Sequence, residues 1–368
     1  MAVSLRLCAL FAGFLMINAG CTALKTNTTD TLGAIDLKPY GRFQINQQQE
    51  LELVSSAVNF GFAFEGEECV INVKGDDPKG HNYLQYELDG VYQKRIRTEG
   101  DVATPLVIKV AGKGKHKIWI YKATEAHSGT IKVLSVSAKN IRPISRPALP
   151  LIEFIGNSIT CGAAADDSEV ACGTGEYHDQ HNAYLAYGPR LARALNTNFI
   201  MSSVSGIGIY RNWAGDGAPM PRVYEYLKFG EGSGPKWDFS RYSPRIVSIA
   251  LGTNDLSNGD GKTPRKPFDT TICINSYVKF IQLVKSKYPK ARIVLLNSPM
   301  AGGEPAKLLD QCIASVKQKV DVLYPSDFPV STYFFKPMQA RGCTGHPSVA
   351  DHEILAKQLE PFFRKLLF

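Results

Sequence analysis

The chain has 368 residues, of which 44% are hydrophobic and 21% charged, and its formal net charge is +8 at pH 7. This composition excludes a largely disordered chain and a membrane-embedded one, and the length suits two domains. The lysines and arginines are dispersed, and their one dense cluster, at 113–117, lies between two strand-like segments. We therefore expect no nucleic-acid partner.

The first 21 residues are typical of an export signal. Arg6 precedes a short apolar run over residues 7–17, and small residues follow before Cys21. The run is too short to span a bilayer. The segment "NAGC" resembles a bacterial lipobox, which would make Cys21 a lipidated first residue of the mature chain. The alternative is an ordinary signal peptide cut nearby. Either predicts an exported protein in the bacterial periplasm or at the cell surface, and an acyl anchor would hold it there without a spanning helix.

Export favours disulfide bonds among the cysteines that remain. Beyond Cys8 and Cys21 they are Cys69, Cys161, Cys172, Cys273, Cys312 and Cys343. The sequence does not choose among the possible pairings. Cys161 with Cys172 would staple a local loop, and Cys312 with Cys343 would tie down the last loop, whereas Cys69 is expected to be buried and free. A zinc site built on cysteines is not expected, because no C-x2-C pair occurs.

Residues 35–143 are predicted to form an antiparallel β-sandwich of jelly-roll type. Six segments alternate apolar with polar residues and end in Gly, Asp or Asn turns: 57–66, 68–75, 82–90, 104–112, 116–124 and 129–138. Many short strands at regular spacing are typical of such a sandwich. The segment 140–150 carries three prolines and is predicted to be a linker.

Residues 150–368 follow a different pattern, which predicts a parallel sheet between layers of helices, an α/β/α domain. Continuous apolar runs, expected for strands buried on both faces, occur at 149–156, 197–205, 244–252, 291–299 and 320–326. Helix-like segments between and after them occur at 182–196, 270–288, 304–319 and 347–366. Ligands of such sheets bind beyond the carboxyl ends of the strands.

Four polar or flexible residues lie in the predicted loops at that edge: Ser158, Gly206, Asn254 and His346. Each has an ordinary structural explanation by itself, such as a helix N-cap for the serine or turn geometry for the glycine. Together they supply what acyl transfer needs. Ser158 would be the nucleophile and His346 the base. The N–H groups of Ser158 and Gly206 and the Asn254 amide would donate to the developing oxyanion.

The segments that carry these residues, "GNSIT", "SG", "GTND" and "GHP", resemble the four blocks of the SGNH (GDSL-type) hydrolase superfamily. The layout of the whole chain is similar to carbohydrate esterase family 2, which pairs an N-terminal jelly roll with a C-terminal SGNH hydrolase domain. The resemblance implies an acetyl esterase that acts on plant cell-wall polysaccharides such as acetylated xylan or glucomannan. A preference for 6-O-acetyl groups on hexose units is likewise implied by the resemblance alone.

Two positions depart from the superfamily pattern. Asn157 replaces a common Asp, with little expected consequence. Cys343 and Thr344 stand where an acid usually orients the histidine. Some members of the family lack that acid and use a Ser–His dyad with a main-chain carbonyl at Nδ1. We therefore predict that a carbonyl in the segment 343–345, or alternatively the Thr344 hydroxyl, orients His346, and that Asp351 faces away.

The aromatic residues Trp213 and Tyr210 are candidates to stack on a sugar ring, or else to pack within their loop. No metal or other cofactor is expected, because Ser–His acyl transfer needs none and no H-E-x-x-H pair appears near His178, His181 or His352.

Two alternative functions remain. An acyl-chain esterase or lipase would need a long apolar groove, and the missing acid would suit a carbohydrate-binding lipoprotein that has lost activity.

Overall fold

The N-terminal part of the chain folds into the predicted antiparallel sandwich. The computed structural model describes Met1 and residues 29–232, 234–262 and 264–368, so the predicted export signal and Cys21 lie outside the described residues. The strands of this domain are β1 (Thr29–Gly33), β2 (Phe43–Ile45), β3 (Leu51–Leu53), β4 (Asn59–Lys74), β5 (His81–Leu88), β6 (Val91–Glu99), β7 (Thr104–Lys109), β8 (Lys115–Lys122) and β9 (Ile131–Ile144). The sheet begins earlier than the predicted boundary at residue 35.

The long strand β4 joins the two layers of the sandwich. The strand order is β2-β3-β9-β4-β8-β5-β6, with β1 also paired to β9 and β7 to β4. Residues 59–65 of β4 pair with β8, residues 68–73 pair with β7, and the register against β9 shifts between these two halves. Side chains of both halves share one core: Phe60, Phe62, Phe64, Cys69, Ile71 and Val73. The two strands predicted at 57–66 and 68–75 are therefore one bulged strand.

The predicted linker is shorter than residues 140–150. Strand β9 continues to Ile144, and Pro143 pairs with Phe62 at the end of that strand. Proline is tolerated there because its missing N–H matters least near the end of a ladder.

The described residues of the C-terminal domain form five further strands and seven α-helices. The strands are β10 (Leu151–Gly156), β11 (Asn198–Ser203), β12 (Ile246–Ala250), β13 (Arg292–Leu296) and β14 (Ser331–Tyr333). The helices are α1 (Ser158–Cys161), α2 (Tyr187–Ala194), α3 (Met220–Val223), α4 (Thr253–Leu256), α5 (Thr270–Lys287), α6 (Gly303–Leu323) and α7 (Val349–Leu367). Short 3-10 helices occupy Ala34–Asp36, Ala126–Ser128, Tyr177–Gln180, Phe239–Arg241 and Cys343–Gly345. Among the described residues, no helix has the length and apolar character that a membrane crossing demands.

The five C-terminal strands form the predicted parallel sheet in the order β11-β10-β12-β13-β14. Helices α5 and α6 pack on one face, where Phe280 and Ile313 belong to the core. Helices α2 and α7 pack on the other face, where Leu191 and Phe363 do the same. The strand order reverses at β10, which is where sheets of this type bind their ligands.

The segment 320–326 is not the strand that its apolar run predicted. Residues up to Leu323 form the last turn of α6, and the edge strand is β14. The reason is that Ile313, Val316 and Val320 recur at helical spacing and face the core, whereas Val322 is exposed.

A buried ion pair connects the two domains. Arg42 of the sandwich lies 3.9 Å from Glu153 of β10, and both side chains are fully buried. The Arg42 guanidinium also donates to Ser202 Oγ at 3.1 Å and to the Tyr224 carbonyl at 2.9 Å. Burial raises the pKa of Glu153, although Arg42 opposes that rise. Loss of either partner would leave an uncompensated charge in the interior and strongly destabilise the fold. The ion pair therefore helps to hold the two domains together.

The disulfide pairing differs from both suggested pairs. Cys172 is bonded to Cys343, whereas Cys161 and Cys312 are free and buried. The pairing across 171 positions joins two loops that the fold brings together, which local spacing does not reveal. Cys69 is buried and free, as expected.

Candidate active site

The predicted site residues meet at one edge of the parallel sheet. Ser158 follows β10, Gly206 follows β11 and Asn254 follows β12, and these three strands are neighbours. Because parallel strands end at the same edge, the topology alone places these residues together. His346 reaches the same edge from the loop before α7.

Ser158 and His346 are within hydrogen-bonding distance. Nε2 of His346 lies 2.9 Å from Oγ of Ser158. Ser158 is 8% exposed, and His346 is half-buried, so both groups border the cavity at this edge. A neutral imidazole at that distance can take the hydroxyl proton, as a general base must.

The turn before Ser158 explains how the sequence presents the hydroxyl. A Cβ atom on Gly156 would lie 2.0 Å from Oγ1 of Thr160, so only glycine fits there. The Asn157 side chain accepts a hydrogen bond from the Ile159 N–H at 3.1 Å and caps α1. Ser158 is therefore the first residue of a helix, and its own N–H has no intrahelical acceptor. That N–H is available to an oxyanion.

The loop that contains Gly206 is held by a buried carboxylate. Asp255 accepts hydrogen bonds from the N–H groups of Ile209, Tyr210 and Arg211 at 2.8–3.1 Å. Burial raises the pKa of Asp255, and these backbone donors oppose the rise. Gly206 itself adopts a φ of +73°, a conformation that glycine tolerates best. Asp255 thus fixes the loop that presents the Gly206 N–H, a role that we did not predict.

The Asn254 amide is oriented by a single hydrogen bond. Its Nδ2 donates to the Ile207 carbonyl at 2.8 Å. An amide carries two hydrogens, so one remains for a ligand in the cavity that Asn254 lines. The three predicted oxyanion donors therefore belong to one site.

The His346 ring meets both kinds of predicted partner: the Thr344 hydroxyl faces Nδ1, and the backbone carbonyls of Thr344 and Cys343 also hydrogen-bond with the ring. Thr344 Oγ1 lies 3.1 Å from Nδ1. Thr344 has a left-handed backbone, with φ +50° and ψ +31°, which is uncommon for a β-branched residue. This conformation places its side chain beside the imidazole, two residues along the chain.

Several surrounding groups determine the pKa of His346. Burial lowers it, and the neighbouring His181 lowers it further. The backbone carbonyls of Thr344 and Cys343 and the charge of Glu125 act in the opposite direction, because each favours the imidazolium. The net shift is downward from 6.5, so the ring is a neutral base at neutral pH.

Asp351 faces away from the imidazole and performs a structural role. Its carboxylate accepts from Arg341 Nε at 2.7 Å and from Ser348 Oγ at 3.0 Å. The Ser348 hydroxyl in turn caps α7 by accepting from the Asp351 N–H. This reciprocal capping box engages Asp351, the nearest acid to His346 in sequence.

The cavity around Ser158 and His346 has a volume of about 660 Å³ and is lined in part by residues that sequence reasoning missed. Tyr177 places its hydroxyl 3.4 Å from Nε2 of His346 and 3.3 Å from Oγ of Ser205. Met300 completes the wall beyond β13. No sequence signal distinguished these residues, because they belong to loops without a recognisable motif.

Glu125 enters the cavity from the sandwich domain. Its carboxylate accepts from the Ser205 N–H, next to Gly206, and lies 3.8 Å from Nε2 of His181. Burial would raise the pKa of Glu125, but His181 and the Ser205 N–H lower it to about 2. A negative charge therefore lies in the same cavity as Ser158 and His346. It could not be predicted, because it comes from the other domain.

The two aromatic candidates lie in different surroundings. Trp213 is 46% exposed and lines the cavity with Ser158, so its ring is open to a ligand. Tyr210 does not line that cavity; its hydroxyl accepts from the Asp269 N–H at 3.0 Å, and its ring packs 5.8 Å from that of Phe268. Tyr210 also lines a neighbouring cavity of about 690 Å³ together with Trp213, so its stacking on a sugar stays a prediction.

The chain matches two family models. Residues 154–349, more than half of the chain, match the GDSL-like Lipase/Acylhydrolase family. Residues 40–147 match the model described as Carbohydrate esterase 2 N-terminal. The two matches together cover the sandwich and most of the C-terminal domain.

Known proteins resemble the chain over most of its length. It is 30% identical over 332 residues to the cellulase/esterase CelE of Acetivibrio thermocellus, covering 87% of this chain and 38% of that protein. It is 25% identical to an acetylxylan esterase / glucomannan deacetylase of Cellvibrio japonicus, covering 93% of this chain and 92% of that protein. A family two carbohydrate esterase from Clostridium thermocellum, solved in complex with cellohexaose, superposes with a TM-score of 0.78 at 27% identity, covering 91% of this chain and 98% of that one.

Proposed function

This chain belongs to the GDSL-like lipase/acylhydrolase family and to carbohydrate esterase family 2, and on that premise we propose that it removes acetyl groups from acetylated xylan or glucomannan. It is a carboxylic-ester hydrolase in which a serine is the nucleophile. The observation that carries the proposal is the 2.9 Å approach of His346 Nε2 to Ser158 Oγ at the rim of an accessible cavity.

The arrangement supports acyl transfer in two steps. Nε2 of His346 takes the hydroxyl proton while Ser158 Oγ attacks the acetyl carbonyl carbon. The oxyanion that forms accepts from the N–H groups of Ser158 and Gly206 and from the Asn254 amide. His346 then protonates the sugar oxygen as it leaves, and the acetyl group remains on Ser158. Water, activated by the same imidazole, hydrolyses this ester and releases acetate.

Acetyl is a small acyl group, and the sugar is the larger part of the substrate. Exposed Trp213 offers a flat apolar face within the cavity, suited to stacking on a pyranose ring. This supports a carbohydrate as the leaving group. For an acyl-chain esterase, rates on nitrophenyl esters would rise from acetyl to octanoyl; we expect them to fall.

Export is part of the proposal. The N-terminal signal would carry the protein to the periplasm or cell surface, where polysaccharide fragments are accessible, and a lipid on Cys21 would retain it at a membrane. Mass spectrometry of the mature protein from its host would identify its first residue and any acyl group on it.

The direct test is acetate release from acetylated glucomannan, acetylated xylan and acetylated cello-oligosaccharides, with Ser158→Ala as the inactive control. We expect release by the wild type and a loss of about 10⁴-fold or more in the variant. No release from any of these substrates, with binding retained, would instead identify a carbohydrate-binding protein.

A further inference from the structure

A second cluster of ligating side chains lies between the two domains. His81 belongs to β5 of the sandwich, while Glu176 and His178 flank Tyr177 in the C-terminal domain. Each offers one ligand atom, and these atoms lie within 4.8 Å of one another. The three residues line a cavity of about 340 Å³ that does not include Ser158 or His346.

Hydrogen bonds orient both imidazoles. Nε2 of His178 donates to the His81 backbone carbonyl at 3.1 Å, and Nε2 of His81 donates to a carboxylate oxygen of Asp179. Histidines that bind metals almost always donate their other ring N–H to a carbonyl or carboxylate in this way. Each ring is thereby held in one tautomer, with a lone pair left on Nδ1.

The third ligand is the carboxylate of Glu176, which makes no hydrogen bond to the His178 ring. Oε2 of Glu176 lies 3.6 Å from Nδ1 of His178, which is too long for a hydrogen bond. The side chain is 68% exposed and can therefore rotate towards an ion. Two imidazoles, one carboxylate and a water molecule form a common tetrahedral zinc environment.

The two imidazoles lie close together and are largely shielded from water. The His81 and His178 side chains are 8% and 14% exposed, and their ring centroids are 4.5 Å apart. A cation at this position would meet two imidazoles and the carboxylates of Glu176 and Asp179.

We propose that His81, Glu176 and His178 bind one zinc ion, which joins the sandwich to the C-terminal domain. Its ligands lie outside the cavity that holds Ser158, so the ion would take no direct part in the acyl transfer. It would nonetheless fix the segment that carries Tyr177, whose hydroxyl contacts His346. The sequence did not suggest this site, because His81 and His178 are 97 positions apart.

Zinc titration of the full, tag-free, EDTA-treated protein tests the proposal. Calorimetry should show one zinc bound per chain, and zinc should raise Tm by a few degrees through mass action. Magnesium and calcium, which prefer sites rich in oxygen ligands, should do neither. His81→Ala and His178→Ala should each weaken zinc binding at least about 100-fold, since each removes one of three protein ligands.

Two further variants make the result decisive. Glu176→Gln, a change of nearly equal shape at an exposed side chain, should weaken zinc binding about tenfold or more. His116→Ala is the matched control, because His116 also pairs with a carboxylate in the sandwich, Asp89 at 2.8 Å, and should bind zinc like the wild type. Absence of zinc binding to the wild type, or equal binding by the wild type, His178→Ala and Glu176→Gln, would overturn the proposal.

Discussion

The imidazole of His346, the proposed general base, has a hydroxyl and not an acid at Nδ1, and the nearest acid in sequence, Asp351, is engaged elsewhere. We expect His346→Ala to reduce kcat by about 10⁴-fold or more, because the base is lost. Asp351→Asn should leave kcat nearly unchanged and lower the free energy of unfolding by about 1–3 kcal/mol, because it weakens a cap and an ion pair. Steady-state kinetics and urea unfolding of both variants separate the two effects. Equal, large losses of kcat would show that Asp351 takes part in catalysis.

The pH dependence follows from the lowered pKa of His346. The reaction needs the neutral ring, and burial moves its pKa below 6.5, so protonation stops the enzyme only in more acidic solution. The profile of kcat/KM should therefore rise through a midpoint below pH 6.5 and be level near neutral pH. Hydrolysis of nitrophenyl acetate from pH 4 to 8, in buffers of constant ionic strength, measures this midpoint. A midpoint clearly above 6.5 would contradict the assignment.

At the scale of an element, the loop after β11 depends on Asp255. Asparagine at this position would replace one acceptor oxygen by a donor that faces backbone N–H groups. Asp255→Asn should cost about 1–3 kcal/mol of stability and lower kcat, because the Gly206 N–H loses its position. Asp216→Asn, at an exposed position in the same loop, is the control and should change neither quantity. Thermal unfolding and kinetics of the pair provide the comparison.

The loop that carries His346 depends on a covalent tie. Cys343 begins the short helix before His346, and its bond to Cys172 closes a long segment of chain. Cys172→Ser should lower the free energy of unfolding by about 2–5 kcal/mol. Reduced wild-type protein should behave like the variant in the same unfolding experiment. If reduction left the wild-type stability unchanged, the bond would not form in solution.

At the scale of the whole molecule, both domains contribute ionisable groups to the cavity that holds Ser158 and His346. Glu125 of the sandwich favours the charged form of His346 and fixes Ser205 beside Gly206. Glu125→Gln should lower kcat, because the imidazolium formed during proton transfer loses a stabilising charge. It should also move the acidic midpoint of the pH profile further down. An unchanged midpoint would mean that Glu125 acts only through the loop.

The sequence predicted the parts of the site that one sheet edge dictates. Ser158, Gly206 and Asn254 follow the ends of neighbouring strands, so a parallel sheet brings them to the same edge. Glu125 and Tyr177 could not be predicted in this way, because their positions depend on how the domains pack. The predicted partner of Cys343 and the predicted end of α6 were wrong, since local spacing and a short apolar run do not determine long-range contacts.

The position of Glu125 has one further consequence, for engineering. A truncated protein that keeps only residues 150–368 would retain Ser158 and His346 yet lack the Glu125 carboxylate that lines their cavity. The sandwich therefore contributes directly to the site, unlike a flexibly linked binding domain that could be exchanged for another. Fusing the C-terminal domain to another domain would require a replacement for the Glu125 carboxylate.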